Sequence, residues 1–511
     1  MRELRKEPLG SLVTDLLLSR VLFLLAAPAC LFIAGCAVGP NYLRPAAPHV
    51  SAYTDHPLTS TVATTNVVGG EAQRFNTKSD IAGDWWTLFH SPALNELIEL
   101  SLTNNPDLKA AQAALLVARE NTKAQRGGYY PGVTASFSAN RHQDPRATLA
   151  AVPSDNSYLY NLFTPQVSVS YTPDVFGLNR RTVESLKAQE QGVRFQMIAT
   201  YTTLTANLVV TAIQAGAVQT QIDATRQLID INSNMVQILQ YQFTKGYAGR
   251  LDVVAQESQL AQVIATLPPL IKQSVQLRDQ LAVLAGCFPN QIPAEKFDLL
   301  NLRLPVDLPV SLPAQLVAQR PDVLQAEANL HSASAQIGVA IANRLPNIAL
   351  TADAGSTALS INKVFTSGTG FWGLGAAATA PLFEGGTLLH QERAAKAAYV
   401  QAAEQYRSTV LTACQNVADT LVALEQDAEG LQASATAADD ARITLDLSQR
   451  QWKDGYISYL ALLSAEQAYQ QTRINLVQAQ ANRFADTAAL FQALGGGWWH
   501  RADLTRDKHE R

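Results

Sequence analysis

The chain is written twice. Asn105-Pro106-Asp107 and Arg320-Pro321-Asp322 stand 215 residues apart, and a further proline, Pro131 or Pro346, follows each first proline by 25 residues. Later, Gly246-Tyr247 with Leu251 and Glu257 matches Gly455-Tyr456 with Leu460 and Glu466 at a spacing of 209. A unit of roughly 200 residues is far longer than a solenoid repeat of about 20–50. The spacing therefore marks an internal duplication, and any fold must seat two related units together. A Pro-rich connector, Phe288-Pro289 through Pro293, Pro305, Pro309 and Pro313, separates them. The expected organisation is a signal segment at 1–35, an extended segment at 36–90, a first copy at 91–287, the connector at 288–313, a second copy at 314–494 and a tail at 495–511.

Both copies have the same internal order. An Ala-rich helical stretch comes first, Leu108 to Gln125 and Val323 to Asn343. Strands follow, at about 129–140 and 163–172 in the first copy and about 347–355 and 371–380 in the second. Val133, Ala135, Phe137 and Ala139 alternate with Thr134, Ser136, Ser138 and Asn140, and Val167, Val169 and Tyr171 alternate with Gln166, Ser168 and Ser170. That period of two is the strand signature. Ile348, Leu350 and Ala352, then Trp372, Leu374, Ala376 and Ala378, alternate less cleanly. Aromatic pairs at strand ends, Tyr129-Tyr130 and Phe371-Trp372, stand where outer-membrane barrels carry their aromatic girdles.

Each strand pair leads into a long helical region. No proline occurs between Pro173 and Pro268, and none after Pro381. Ile474, Val477, Ala481, Phe484, Ala488 and Phe491 step 3-4-3-4-3, as do Cys414, Val417, Leu421, Leu424, Ala428 and Leu431. Such seams belong to long helices packed side by side. Each helical region is interrupted once, by Lys245-Gly246-Tyr247-Ala248-Gly249-Arg250-Leu251-Asp252 or by Asp454-Gly455-Tyr456-Ile457-Ser458-Tyr459-Leu460. Glycine suits such a turn because it adopts positive φ without strain. Taken alone, these are two helical hairpin loops.

Composition removes several classes. With 39 basic and 43 acidic residues, net −4, there is no electrostatic case for nucleic acid. A mean hydropathy of −0.01 excludes a polytopic helical membrane protein, which needs many apolar runs of about 20 residues. The one long apolar run, Val21 to Gly35, follows Arg2, Arg5, Lys6 and Arg20 and ends in Leu31-Phe32-Ile33-Ala34-Gly35-Cys36. It suits a signal-peptide core, and the small residues before Cys36 form a lipobox, with cleavage exposing Cys36 for lipidation. Four strands of about ten residues fit a tilted bilayer crossing, yet four cannot close and open edges are not tolerated in lipid. Several chains must pool their strands if these strands enter the membrane.

No catalytic constellation appears: no HExxH, close Cys/His spacing, GxSxG or Walker A. The expectation is no enzyme, no cofactor and no metal. Gly368-x-Gly370-x-x-Gly373 matches a dinucleotide fingerprint only formally, since it opens a strand with no helix following. Cys414 falls on the apolar seam as a small hydrophobe, and Cys287 ends a helix. Arg320-Pro321-Asp322 reads as a helix start, with proline in the first turn and an acid at the positive dipole end.

Several motifs, in order, carry a resemblance: Cys36-Ala37-Val38-Gly39-Pro40-Asn41-Tyr42-Leu43-Arg44-Pro45; Asp84-Trp85-Trp86 with Phe89, Pro92 and Leu94; Leu308-Pro309; Gln319-Arg320-Pro321-Asp322-Val323 with Ala326-Glu327; and Ala380-Pro381-Leu382-Phe383-Glu384-Gly385-Gly386. The chain resembles the TolC-type outer-membrane efflux proteins, in the lipoprotein branch similar to OprM and NodT. The resemblance implies an α+β fold built from a duplicated helix–strand–strand–long-helix unit. As a homotrimer this would form a 12-stranded transmembrane β-barrel on a periplasmic α-helical barrel with an equatorial belt. It implies a passive exit duct in the outer membrane, lipid-anchored through Cys36, sorted there by Ala37, and joined to a periplasmic adaptor (a membrane fusion protein) and an inner-membrane pump of the RND or a related type.

The resemblance also assigns the helical tips, with Gly246, Gly249, Arg250 and Asp252 in one copy and Trp452, Gly455, Ser458 and Tyr459 in the other, as gate and adaptor dock. Arg320, Pro321 and Asp322 are its structural signature. Relatives often place acids on the second tip helix, where this chain has Ala461 and Ser464. Asp252 matches the first-copy acid and Trp452 replaces its tyrosine partner; an indole N–H could still latch onto the carboxylate, the alternative for Asp252 being a helix cap. A second expectation, a structural or adhesive trimeric envelope lipoprotein with a helical stalk, leaves the duplicated strands without a purpose.

Overall fold

The computed structural model describes residues 37–505 except 49, 51, 57, 78, 144–158 and 292–296. The expected signal segment at 1–35, the expected lipidation site Cys36 and residues 144–158 lie outside the described residues. The helices are α1 (Pro92–Asn104), α2 (Pro106–Arg126), α3 (Leu178–Thr244), α4 (Arg250–Leu284), α5 (Pro313–Gln319), α6 (Pro321–Ala342), α7 (Thr387–Lys453), α8 (Tyr459–Ala493) and α9 (Ala502–Thr505). The strands are β1 (Arg74–Asn76), β2 (Gly132–Gln143), β3 (Leu159–Tyr171), β4 (Asp307–Pro309), β5 (Asn347–Ser356) and β6 (Gly370–Thr379). The two copies agree helix for helix: α3 and α7 have 67 residues each, α4 and α8 have 35 each. At 1.5 Å per residue, 67 residues make a helix about 100 Å long. Among the described residues, no helix is long and apolar enough to cross a membrane.

The chain divides into two compact units, and each draws on both copies. One comprises the described residues up to Arg44 with Val117–Gln191 and Ala328–Glu404. Its centre is a four-stranded antiparallel sheet in the order β2-β3-β5-β6. Directly opposed residues share a face in such a sheet, so the register defines rows across all four strands. Val133, Val169, Ala352 and Leu374 make one row, and Ala135, Val167, Ala354 and Trp372 the next on that face. The opposite face carries Thr134, Ser168, Asp353 and Gly373, then Ser136, Gln166, Gly355 and Phe371. One face is apolar, the other mostly polar. Neither is covered within the chain: every residue of β2 is exposed, and Val133, Phe137, Val167, Trp372 and Leu374 stand among the exposed apolar side chains.

The first strand begins later than the expected 129. Gly127–Tyr129 closes a tight 3₁₀ turn, with the Tyr130 N–H donating to Gly127 O (3.0 Å), so extended backbone starts at Gly132. β3 begins earlier than 163, at Leu159, because its first residues pair with Asn140–Gln143. Pro268 and Pro269 do not end the helix as a proline pair would suggest, and α4 runs through to Leu284. Ile264 and Ala265, whose carbonyls lose their helical donors there, lie on an exposed face where water replaces them.

The second unit, Pro45–Leu116, Gly192–Glu327 and Gln405–Arg511, holds most of the core. Val477, Ala481, Phe484, Ala488 and Phe491 of α8 are buried as the seam requires, while Ile474 at its start is only half-buried. In α7 the seam runs Val410, Ala413, Val417, Leu421, Leu424, Ala428, Leu431, so Ala413 takes the place expected for Cys414, which is only half-buried. A four-residue step on each side of Val417 follows the 3.6-residue turn more closely than a strict heptad. Trp85 stacks on Phe491 (centroids 5.1 Å, 22°), which places the tryptophans of the Asp84-Trp85-Trp86 motif in this core while Asp84 stays exposed. The extended segment and the connector meet as β1 and β4, a short parallel pair in which the Arg74 N–H donates to Val306 O (2.7 Å) and the Val310 N–H to Asn76 O (3.0 Å).

Candidate functional site

The two helix-reversing tips are built alike, hydrogen bond for hydrogen bond. At the end of α3, Gly246 takes φ 78° and the Tyr247 N–H donates to Gln242 O at 2.8 Å. At the end of α7, Gly455 takes φ 76° and the Tyr456 N–H donates to Gln451 O, also at 2.8 Å. Both glycines supply the left-handed residue that terminates a helix in a Schellman turn. Each tip then presents a tyrosine and a leucine to solvent, Tyr247 with Leu251 and Tyr456 with Leu460, all exposed.

The tips differ in how the next helix is capped. Gly249, having no side chain, leaves the start of α4 to Asp252, whose Oδ2 accepts the Gly249 N–H at 3.1 Å. Arg250 is the first residue of that helix. In the second copy Ser458 is the cap, its Oγ accepting the Ala461 N–H at 3.4 Å. Ala461 stands where Asp252 stands in the first copy, so the carboxylate and the serine exchange capping duty. Asp252 in this structure turns to its own helix end rather than to Trp452. Trp452 instead packs edge-on against Tyr459 (centroids 5.9 Å, 67°), beside a cluster formed by Met235, Leu239, Val253, Leu445 and Leu462.

Two polar groups of α8 are buried near this tip. Tyr459 Oη and both carboxylate oxygens of Glu466 are buried and find no hydrogen-bond partner among the described residues. Burial lifts the Glu466 carboxyl to about 7. Burial also pushes the Tyr459 hydroxyl far above its usual range, with the charges of Glu466 and Asp252 adding to it. The first-copy counterpart of Glu466, Glu257, is exposed and accepts from Gln240 Nε2 at 3.0 Å. The repeat alone gives no sign of that inequality, since Glu257 and Glu466 are equivalent positions in it.

Arg320, Pro321 and Asp322 lie at the opposite end of the helical hairpins. Pro321 opens α6, and Asp322 Oδ1 accepts the Val323 N–H at 2.9 Å, as a helix start predicts. Arg320 does more than precede it. Its fork binds both oxygens of Asp322 (Nε–Oδ1 2.9 Å, Nη2–Oδ2 2.5 Å), and its Nη1 reaches Ala493 O at 3.0 Å, the last residue of α8. In the first copy Asn105 has this position, and its Nδ2 donates to Leu284 O at 3.0 Å, the last residue of α4. Leu284 and Ala493 are themselves 209 apart. One contact is thus made by an amide in one copy and a guanidinium in the other. Gly286 (φ 73°) and Gly495 (φ 101°) end the same two helices against the backbones of Asn104 and Gln319.

The stretch that follows Cys36 docks on the sheet-bearing unit. The Val38 N–H donates to Phe176 O (3.1 Å), while Arg181 donates to Val38 O (2.9 Å), Gly39 O (3.2 Å) and Asn41 Oδ1 (2.9 Å). Tyr42 stacks on His331 at 4.2 Å, and His331 Nε2 lies 3.0 Å from Glu184. The strap after the cysteine is therefore held firmly. Among the described residues no three His, Cys, Asp or Glu side chains are grouped to hold a metal ion.

Comparison with known proteins agrees with this geometry. Residues 97–287 and 312–496 match the family described as outer membrane efflux protein, one match per copy. The chain is 28% identical over 481 residues to the probable efflux pump outer membrane protein SepC of Pseudomonas putida, covering 91% of this chain and 95% of that one. It is 26% identical over 473 residues to the outer membrane protein OprJ of Pseudomonas aeruginosa, covering 92% and 94%. Among solved structures, the outer-membrane channel OprN superposes with a TM-score of 0.80 at 25% identity, over 91% of this chain and all of that one.

Proposed function

The chain belongs to the outer membrane efflux protein family, and from that premise we propose that three copies close into one lipid-anchored exit duct whose inner mouth is formed by the duplicated tips. The observation that carries this reading is the sheet. It has one apolar face and one mostly polar face, neither covered, and its outer edges at β2 and β6 are unpaired among the described residues. In lipid an open edge leaves several backbone groups without partners, each costing several kcal/mol. Pairing β6 of one copy with β2 of the next removes every edge. Three copies of four strands supply twelve, with the apolar rows toward lipid and the polar rows lining the lumen. In this reading the duct conducts passively, and the work of transport belongs to an inner-membrane pump reached through a periplasmic adaptor.

The exposed Tyr247, Leu251, Tyr456 and Leu460 are the surface on which such an adaptor would dock. Cys36 is the lipid anchor, and the Arg181 contacts to the strap fix where that anchor leaves the protein. The test is the mass of the detergent-extracted protein together with conductance in planar bilayers. A mass of three chains and discrete channel steps are expected; a monodisperse single chain without conductance would refute the reading. Replacing Cys36 with Ser should abolish acylation and leave three-chain assembly intact, whereas unchanged acylation would remove the anchor from the proposal.

A further inference from the structure

The loop after β6 carries the most exposed apolar pair of the sheet-bearing unit, Leu382 at 96% and Phe383 at 89%. An adjacent leucine and phenylalanine so bare mark a surface that is covered in the working molecule. The strand order identifies what covers them, on the three-copy reading above. All pairings within the sheet are antiparallel, so β2 and β5 run one way and β3 and β6 the other. Closing a ring of identical copies joins β6 of one to β2 of the next, and continued alternation makes that pair antiparallel too. The Thr379 end of β6 then lies beside the Gly132 end of β2 in the next copy.

The segments attached to those two ends are therefore neighbours. Thr379 leads into Ala380–Gly386 and then the start of α7, which leaves Leu389 and Val400 exposed. Gly132 is preceded by the last turn of α2, by Gly127 and Gly128, and by Tyr130, which is 74% exposed; farther back on α2, Val117 is exposed as well. Charge is complementary across the same junction. The loop carries the exposed Glu384, and the last turn of α2 carries the exposed Arg126. Gly127 offers a seat free of side chain, since a Cβ there would meet nothing within 4 Å.

We propose that Pro381-Leu382-Phe383-Glu384 is a clasp between copies: Leu382 and Phe383 seat on the Gly127–Tyr130 turn of the next copy, and Glu384 pairs with Arg126 there. The clasp continues the strand-edge interface into the helices, at the level where sheet gives way to helix. A lipid-facing loop would gain nothing from an acid adjoining the apolar pair, and that favours the second copy over the bilayer as the occupant.

The experiment uses the full chain with Cys287 and Cys414 replaced by Ser. Tyr130→Cys and Phe383→Cys are introduced singly and together, and the detergent-extracted protein is treated with a flexible bismaleimide. The double variant should give a ladder ending at a three-chain band, and neither single variant should. Retention of three-chain mass without a ladder overturns the clasp and leaves the three-copy duct standing; single-chain mass in the parent overturns the duct itself. A bimane on Phe383→Cys that brominated lipid quenches, with no ladder, assigns the loop to the bilayer and also overturns the clasp. Glu384→Arg should shift the oligomer toward single chains, and adding Arg126→Glu should restore it; equal loss in both variants counts against the ion pair.

Discussion

At the scale of single residues, Glu466 is a carboxyl kept out of water. Its carboxyl is buried with both oxygens unpartnered among the described residues, and burial lifts it from its ordinary 4.5 to about 7. The packed tip holds that proton more tightly than an opened or unfolded tip does. Below about pH 4.5 both states are protonated and nothing is lost. Between about pH 4.5 and 7 the unfolded state sheds the proton that the packed state keeps, so stability falls across that window and levels off above it. Glu466→Gln removes the titration, so it should raise the melting temperature at pH 8 and leave it unchanged at pH 4.5. A carboxyl held that far from its ordinary value corresponds to a gain of up to about 3 kcal/mol. Thermal unfolding followed by circular dichroism at the two pH values checks this; a gain of equal size at both would show that packing, not protonation, was responsible.

At the scale of elements, what matters is how the long helices end. Gly286 and Gly495 close α4 and α8 with positive φ, where any side chain is strained. A Cβ on Gly286 would stand 2.7 Å from the Asn104 backbone, while on Gly495 the nearest atom, Gln319 O, is 3.1 Å away. Gly286→Ala should therefore cost more than Gly495→Ala, each losing at least about 1 kcal/mol from the backbone alone, as denaturant melts of the two variants would measure. A larger loss in Gly495→Ala would contradict the geometry.

Much of this level was legible in the sequence. Proline spacing located the helix starts at Pro106 and Pro321, and period-two alternation located the strands. Legibility failed where tertiary contacts decide. Asn105 and Arg320 share no chemistry that would pair them in a sequence, yet each bonds the last carbonyl of an equivalent helix. Arg483, fully buried within an apolar seam, is held by Gly69 O (2.7 Å), Thr61 Oγ1 (2.9 Å) and Glu71 O (2.9 Å) from a loop some 410 residues earlier. The only sign of it was a cation beside Phe484 in the heptad pattern. β1 and β4 are too short for any period to show.

At the scale of the whole molecule, the functional reading turns on charge at the inner mouth. The second tip helix carries Ala461 at the site equivalent to Asp252, and Asp252 is engaged in capping its own helix. On the proposed reading, a mouth lined by these tips would have half the acids at this site that a ring drawn from both copies would have. Reversal potentials in asymmetric KCl should show only weak cation preference. Strong preference, abolished by Asp252→Ala, would mean that this carboxylate faces the permeating ions instead.

The matched helix lengths have a bearing on symmetry. Each chain brings two tips with the same backbone, and the six-residue difference between the copies is absorbed entirely between Gly132 and the start of the long helix. Adding one residue to α3 alone would lower its tip by about 1.5 Å and rotate it by about 100°, so neither copy is free to drift in length. Three chains would thus present six tips at one depth, six-fold in backbone but three-fold in side chain, alternating an aspartate cap with a serine cap. A partner bound around that rim would meet every contact in two versions, and a substitution in one tip would disable alternate positions while leaving the rest intact.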